Sequence, residues 1–297
     1  VRSPSARQHM FVIAENVFGP AVVQHRQSAP APADVREILQ QDGLAGMAAD
    51  PAQLRLDGAS GRRRDALASK PGELACQPLG FGDDVILDRV TQRNPACLDD
   101  IGAMAIKTGM LVDAATINAI AEALGHYEVT NLVIDPVMVA KGGDPLVAPE
   151  AVKVAVEKLF PLAKVVTPNM PEAEVLVGFP LVSEKDIQKA AEVIHAMGPE
   201  VVVIKGGHGP YFEQGIAVDR VWDGNKLTAL IYPRHPTKNT HGTGCTFSAA
   251  IAANLALGHP VLSAIEDAKK YISEAIKNNP NLGNGHGPVL HRLQGWG

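Results

Sequence analysis

The sequence has few of the features that mark secreted, membrane or nucleic-acid-binding proteins. Its three cysteines, Cys76, Cys97 and Cys245, form no CxxC pair, which favours a reducing, intracellular location over a disulfide framework. Aromatic residues make up only 4% of the chain, too few for a platform that stacks single-stranded nucleic acid. No run approaches the roughly 18–20 apolar residues of a membrane span, and the start of the chain lacks a signal-peptide layout.

Strong charge and the best-known phosphate-binding motif are absent as well. The formal net charge of −5 indicates neither a nucleic-acid surface nor an anionic membrane as a partner. No Walker A sequence (GxxxxGK followed by Ser or Thr) occurs, which excludes the P-loop class of nucleotide-binding enzymes. The 297 residues, 46% apolar and 20% charged, are ordinary for a globular protein and allow one large α/β domain or two smaller ones.

The chain changes character near residue 96, and strands and helices alternate legibly downstream of it. Apolar runs predict strands at 131–134, 164–166 and 201–205, and a hairpin around Asp223-Gly224. Helical periodicity predicts helices at 113–125, 149–160, 171–177, 183–197, 244–257 and 260–277. Alternating βα units favour an α/β fold whose mostly parallel central sheet has helices on both faces.

The upstream part follows no such pattern. Met10–Ala14 could be a strand, but residues 26–95 are rich in Arg, Ala, Gln, Gly and Pro and show little periodicity. By composition this stretch could be loop or partly disordered. We therefore divide the chain into an irregular N-terminal segment, 1–96, and a core, 97–297, and expect one domain overall.

The strongest local signal is the segment His241-Gly242-Thr243-Gly244-Cys245-Thr246, which leads into an apolar helix. Two glycines let the backbone pack tightly, and the start of the helix would present unpaired N–H groups and the positive end of its dipole. That arrangement binds phosphate or the charge on a transferring phosphoryl group. Taken alone, a glycine turn before a core helix is an equally good interpretation.

Three further signals stand at the ends of predicted strands. Asp135 could hold Mg²⁺, Asn169 and Glu172 could orient metal-bound water, and Lys205 could reach a phosphate. Each has a simpler interpretation in isolation: a turn carboxylate, an N-cap with its acidic partner, and a solvated lysine. Their joint position at the carboxyl edge of an α/β sheet is what favours phosphoryl transfer, which depends on positioning and charge stabilisation.

These residues, in this order, resemble the ribokinase-like superfamily, and more closely the hydroxymethylpyrimidine/phosphomethylpyrimidine kinases of thiamine biosynthesis. The resemblance covers about residues 97–290 and is highly specific as a set. The matching stretches are 105–111 (AIKTGML), 133–140 (VIDPVMVA), 166–174 (VTPNMPEAE), 204–208 (IKGGH), 240–246 (THGTGCT) and 285–288 (GHGP). The implied fold is ribokinase-like, and the implied activity is ATP-dependent phosphorylation of a small pyrimidine alcohol or its monophosphate.

The resemblance implies that Gly242, Thr243 and Gly244 form an anion hole, with Thr243 also binding the nucleotide. Cys245 stands where most ribokinase-like enzymes keep an aspartate base, and a cysteine there is typical of the pyrimidine kinases. Its thiolate could take the hydroxymethyl proton, aided by the end of the helix dipole. The alternative role for Cys245 is a small buried filler.

The other roles implied by the resemblance concern ATP, Mg²⁺ and the acceptor. Lys205 would contact ATP phosphates, Asp135 and Glu172 would serve the metal, and Asn169 would join Glu172 around the nucleotide. Met110 and Cys245 would line the acceptor pocket. A cytoplasmic location and a homodimer are further expectations from the family, with no nucleic-acid or membrane partner.

The N-terminal part departs from the family. Residues 11–14 resemble its first strand, but residues 15–20 lack the glycine-rich loop that follows in the family, and nothing in 26–95 resembles the remaining pocket motifs. Either the reading frame is shifted over residues 15–95, which resequencing in frame would refute, or the acceptor or activity has changed. Pyridoxal or pyridoxine kinase activity, and a non-catalytic nucleotide-binding relative, therefore stay open as alternatives.

Overall fold

The computed structural model describes residues 9–13, 22–24, 98–100, 102–111, 113–139, 146–207 and 215–291. By contacts between Cα atoms the chain divides into two units, residues 1–25 with 82–297 and residues 26–81, and every described residue belongs to the first. Of the N-terminal segment predicted to be irregular, 1–96, residues 9–13 and 22–24 are strands and the rest lies outside the described residues, so the predicted boundary near residue 96 stays a prediction.

The described strands form one sheet in the order β2-β1-β3-β4-β5-β6-β7-β8. They are β1 (His9–Ile13), β2 (Val22–Gln24), β3 (Ala105–Thr108), β4 (Leu132–Ile134), β5 (Val165–Val166), β6 (Val201–Ile204), β7 (Ile216–Trp222) and β8 (Leu227–Pro233). Neighbours from β1 through β6 in this order pair in parallel, whereas β2, β7 and β8 pair antiparallel. The carboxyl ends of five parallel strands therefore meet at one edge of the sheet.

Six helices cover the two faces of this sheet in the described part of the chain. They are α1 (Ala114–His126), α2 (Pro149–Lys158), α3 (Met170–Val177), α4 (Glu184–His195), α5 (Thr243–Ala256) and α6 (Val261–Lys277). Successive residues of a strand point to opposite faces. Accordingly Ile106 and Ile204 pack in a core with α1–α4, while Ala105 and Val203 pack in a second core with α5 and α6. The predicted α/β fold, mostly parallel and helix-covered on both faces, is confirmed.

Local sequence signals account for where several helices begin. The Asp113 side chain accepts a hydrogen bond from Thr116 N at 2.8 Å and caps α1, and Pro149 occupies the first turn of α2. β3 is a strand that the sequence pattern did not indicate, because its four buried residues include Lys107 and Thr108. None of the helices in the described ranges combines the length and hydropathy that crossing a bilayer requires.

Candidate active site

Four polar side chains lie together near the carboxyl ends of four adjacent parallel strands. Lys107 belongs to β3, Asp135 and Thr167 directly follow β4 and β5, and Lys205 directly follows β6. By the alternation of the strands, all four lie on the face that α5 covers. Parallel pairing thus collects residues that are far apart in the sequence.

Asp135 is the centre of this polar cluster, although it is only 1% exposed. Its Oδ1 atom accepts hydrogen bonds from Lys205 Nζ at 2.6 Å and from Thr167 Oγ1 at 3.1 Å, and Lys107 Nζ lies 3.9 Å from its Oδ2. Burial alone would raise the pKa of Asp135, but the charges of Lys205 and Lys107 outweigh it and lower the pKa. Asp135 is therefore a buried carboxylate held ionised between two lysines.

Asn169 and Glu172 join the cluster through the first turn of α3. Asn169 Oδ1 accepts from Glu172 N at 2.9 Å, and Glu172 Oε2 accepts from Asn169 N at 2.7 Å, which is a capping box. The same Oε2 lies 3.9 Å from Lys205 Nζ. Burial raises the pKa of Glu172, with Lys205 acting in the opposite direction. Asn169 and Glu172 thus cap α3, and Glu172 also lies beside Lys205.

Lys205 is thus shared by two carboxylates. Burial would lower the pKa of Lys205, but the charges of Asp135 and Glu172 outweigh it and raise the pKa, with a smaller contribution from Cys245. The backbone of Lys205 is fixed as well, because its N–H donates to Pro168 O at 2.8 Å. The ammonium group therefore stays charged and in a defined place.

The start of α5 lies against this lysine and this aspartate. A Cβ atom on Gly244 would lie 3.4 Å from Lys205 Nζ and 3.6 Å from Asp135 Oδ2. Gly242 precedes the helix at φ 80°, and no side chain caps the helix. The Thr243 hydroxyl donates to Thr240 O at 2.9 Å, and Cys245 carries a free, half-buried thiol in the first turn. An uncapped helix start facing a lysine is suited to bind an anion.

The structure therefore brings together the residues that the sequence placed at the site: Asp135, Asn169, Glu172, Lys205 and 242–245. Met110 lies two residues beyond β3, half-buried, at the same edge of the sheet. Gly109 beside it lines an apolar pocket with Pro136, Val137 and residues of α1 and α2. The role of Met110 in an acceptor pocket stays a prediction.

Two members of the cluster, Lys107 and Thr167, were not predicted from the sequence to belong to the site. Lys107 is fully buried, and its Nζ has no hydrogen-bond partner among the described residues. A lysine inside a short apolar strand was the available signal, because such a buried charge needs a counter-ion. Thr167 gave no comparable signal, since threonine is common in strands.

Two acidic residues of the cluster, Asp135 and Glu172, are of a kind that a magnesium ion takes as ligands. Within the described ranges, no group of three or more His, Cys, Asp or Glu side chains is placed to hold a metal. Mg²⁺ commonly takes one or two carboxylates and completes its shell with water and phosphate oxygens. Asp135 and Glu172 could supply that pair.

A family model described as phosphomethylpyrimidine kinase matches residues 83–290. The chain belongs to the phosphomethylpyrimidine kinase family. Members of this family are kinases, so the chain is assigned to the phosphotransferases.

Two curated relatives illustrate the match. A hydroxymethylpyrimidine/phosphomethylpyrimidine kinase of Haemophilus influenzae is 45% identical over 198 residues, 66% of this chain and 73% of the relative. The thiamine biosynthesis bifunctional protein ThiED of Geobacter sulfurreducens is 48% identical over 204 residues, 69% of this chain. The chain spans only 41% of that longer, bifunctional protein.

A solved structure supports the fold. The ADP complex of Bacillus subtilis pyridoxal kinase superposes with a TM-score of 0.61 at 41% identity, over 69% of this chain and 74% of that one. The expected ribokinase-like fold is confirmed by this likeness.

The site geometry predicts that Asp135→Asn costs about 3 kcal/mol of unfolding free energy, because it leaves the buried Lys107 and the half-buried Lys205 without their shared carboxylate. The matched control is Glu157→Gln, which removes the carboxylate of an exposed ion pair, 3.8 Å from Lys153, and should cost about 0.5 kcal/mol or less. Urea denaturation of the three proteins measures both. Equal stability of the two variants would contradict the central role of Asp135.

Proposed function

We propose that this protein is a cytoplasmic, ATP-dependent kinase that phosphorylates hydroxymethylpyrimidine, its monophosphate, or both, in thiamine biosynthesis. The relatives' names supply the substrate class. The observation that carries the proposal is the position of Gly244, where an added Cβ atom would lie 3.4 Å from Lys205 Nζ and 3.6 Å from Asp135 Oδ2, so that an uncapped helix start lies beside a charged lysine. A homodimer is part of the proposal on the family resemblance alone.

In this proposal several residues together stabilise the negative charge of the transferring phosphoryl group. Lys205 contacts nucleotide phosphate as a point charge, and the backbone N–H groups of 242–244 form the anion hole, with Thr243 beside the nucleotide. Asp135 and Glu172 face the metal–phosphate shell, with Asn169 holding Glu172 in place. Bound magnesium would neutralise part of the phosphate charge.

Cys245 is the proposed general base. Its thiol stands in the first turn of α5, where the helix dipole favours negative charge. With Cys245 in its thiolate form, the proton of the acceptor hydroxymethyl group moves to Sγ as that oxygen bonds to the γ-phosphorus, and the cysteine becomes a thiol. The bond from the γ-phosphorus to the bridging oxygen breaks, and ADP leaves. The thiol then releases its proton to solvent, which restores the thiolate.

Pyridoxal or pyridoxine is the second candidate acceptor, favoured by the likeness to the Bacillus subtilis pyridoxal kinase. Side-by-side initial rates with ATP on hydroxymethylpyrimidine, its monophosphate and pyridoxal decide between the two. We expect kcat/KM to be highest on a pyrimidine acceptor. A higher value on pyridoxal reverses the assignment, and nucleotide binding without turnover on any of them indicates the non-catalytic relative.

Replacing the proposed base tests the mechanism directly. Cys245→Ala is expected to lower kcat by about 10²–10⁴-fold, the usual contribution of a general base, while ATP still binds. Calorimetric titration with an ATP analogue checks binding, and coupled ADP release checks turnover. Retained turnover in the variant would reject Cys245 as the base.

Filling the space at the start of α5 tests the anion hole. Gly244→Ala is expected to lower kcat by about 10²-fold, the loss seen for one oxyanion donor, because its methyl group would lie beside Lys205 Nζ. Thermal stability should hold, since alanine favours the helix and its contacts would be ordinary ones. Gly125→Ala, with no neighbour within 4 Å of the added Cβ, is the control and should leave kcat unchanged. Normal turnover in Gly244→Ala would contradict the anion hole.

A further inference from the structure

A second buried ion pair lies beside the site and has no part in the mechanism above. Lys269 of α6 places its Nζ 2.6 Å from Oδ2 of Asp219 in β7. Their side chains are 11% and 4% exposed. Removing both charges from water costs free energy, which their mutual attraction does not always repay. Stability alone therefore gives little reason for a charge pair at this position.

The other carboxylate oxygen of Asp219 forms a hydrogen bond with the turn that follows Lys205. Asp219 Oδ1 accepts a hydrogen bond from Gly206 N at 2.9 Å. The turn lies close to β7 there, because a Cβ atom on Gly206 would collide with Val218 O. Both carboxylate oxygens of Asp219 are therefore engaged, one by backbone and one by Lys269.

Lys205 thus lies between the Asp219 carboxylate on one side and two further carboxylates on the other. The antiparallel register pairs Ile204 with Arg220, which sets Lys205 opposite Asp219 with both side chains on the face of α5 and α6. Asp135 and Glu172 lie on the other side of Lys205. The Lys205 Nζ atom contacts these two carboxylates and reaches Asp135 across β5.

Lys269 gives Asp219 a cation of its own, 2.6 Å away. Without a cation of its own, Asp219 would be a buried anion one strand away from Lys205. A buried anion draws the nearest available cation, because water cannot solvate it. Lys205 would then divide its charge between Asp219 and Asp135.

We propose that Lys269 is a positioning residue for nucleotide binding: by neutralising Asp219, it leaves Lys205 directed at Asp135 and Glu172, beside Gly244. The proposal rests on the proposed function, in which Lys205 contacts nucleotide phosphate. It assigns to α6 a part in the site although α6 supplies no residue to it.

The test measures the affinity of a magnesium complex of a non-hydrolysable ATP analogue by calorimetry. Lys269→Gln keeps a hydrogen-bond donor for Asp219 but removes the charge, and is expected to weaken affinity by about tenfold, within the range of coupling between sites. The double variant Asp219→Asn/Lys269→Gln removes both charges and keeps an oxygen for Gly206 N–H. Its affinity is expected to return to within about threefold of the unmodified protein, as coupled neighbours allow.

Two further variants separate positioning from folding. Lys269→Arg keeps the charge and is expected to bind like the unmodified protein, even if Lys269→Gln does not fold. Lys277→Gln is the control, since Lys277 also belongs to α6 but forms an exposed pair with Glu274. Thermal melting of every variant records stability separately from affinity.

The outcomes distinguish this inference from the proposed function. If the unmodified protein does not bind the analogue, both fall. If it binds and folded Lys269→Gln binds equally well, or if the double variant binds no better than Lys269→Gln, only the inference is overturned. The same holds if Lys269→Arg loses affinity about tenfold, because the charge alone would then not suffice. Since binding is measured, a protein without turnover still tests the inference.

Discussion

The ion pair between Lys205 and Asp135 is the interaction on which the site depends. Asp135 is almost completely buried, and a carboxylate in that position is tolerable only with cations and hydrogen-bond donors around it. The cluster combines two lysines, Lys107 and Lys205, with two carboxylic acids, Asp135 and Glu172. In the proposed function, a polyphosphate would add negative charge to this cluster, and the magnesium ion that comes with it would neutralise part of that charge.

The parallel sheet makes this cluster possible. Its strands end at one edge, so single polar residues from β3, β4, β5 and β6 meet on one face without a long loop. The start of α5 covers that face, and Gly244 removes the side chain that would separate its backbone from Lys205. The helix can then direct its unpaired N–H groups at the same space as the lysine. The charged groups of the site lie in a strand, directly after a strand or in the first turn of α3.

The antiparallel strand β7 contributes a different constraint. It sets Asp219 opposite Lys205, and Lys269 of α6 takes up that negative charge. The charges are thereby divided into two sets. The pair of Lys205 and Asp135 faces the space beside Gly244, and the pair of Lys269 and Asp219 holds the turn at Gly206 by a hydrogen bond. Separating the sets matters because a lysine side chain is long and flexible enough to change partner. The orientation of Lys205 is accordingly a property of three strands and two helices.

The sequence by itself determined the fold class and most element boundaries, and it named Asp135, Asn169, Glu172, Lys205 and 242–245 as candidates for one site. It could do so because apolar periodicity, caps and glycine turns are local signals that depend on neighbours in the chain. Only the tertiary structure decided that Lys107 and Thr167 belong to the cluster and that Lys269 pairs with Asp219 rather than standing on the surface of α6. Those contacts depend on strand order and register. Order and register follow from packing across the whole sheet, which no local pattern records.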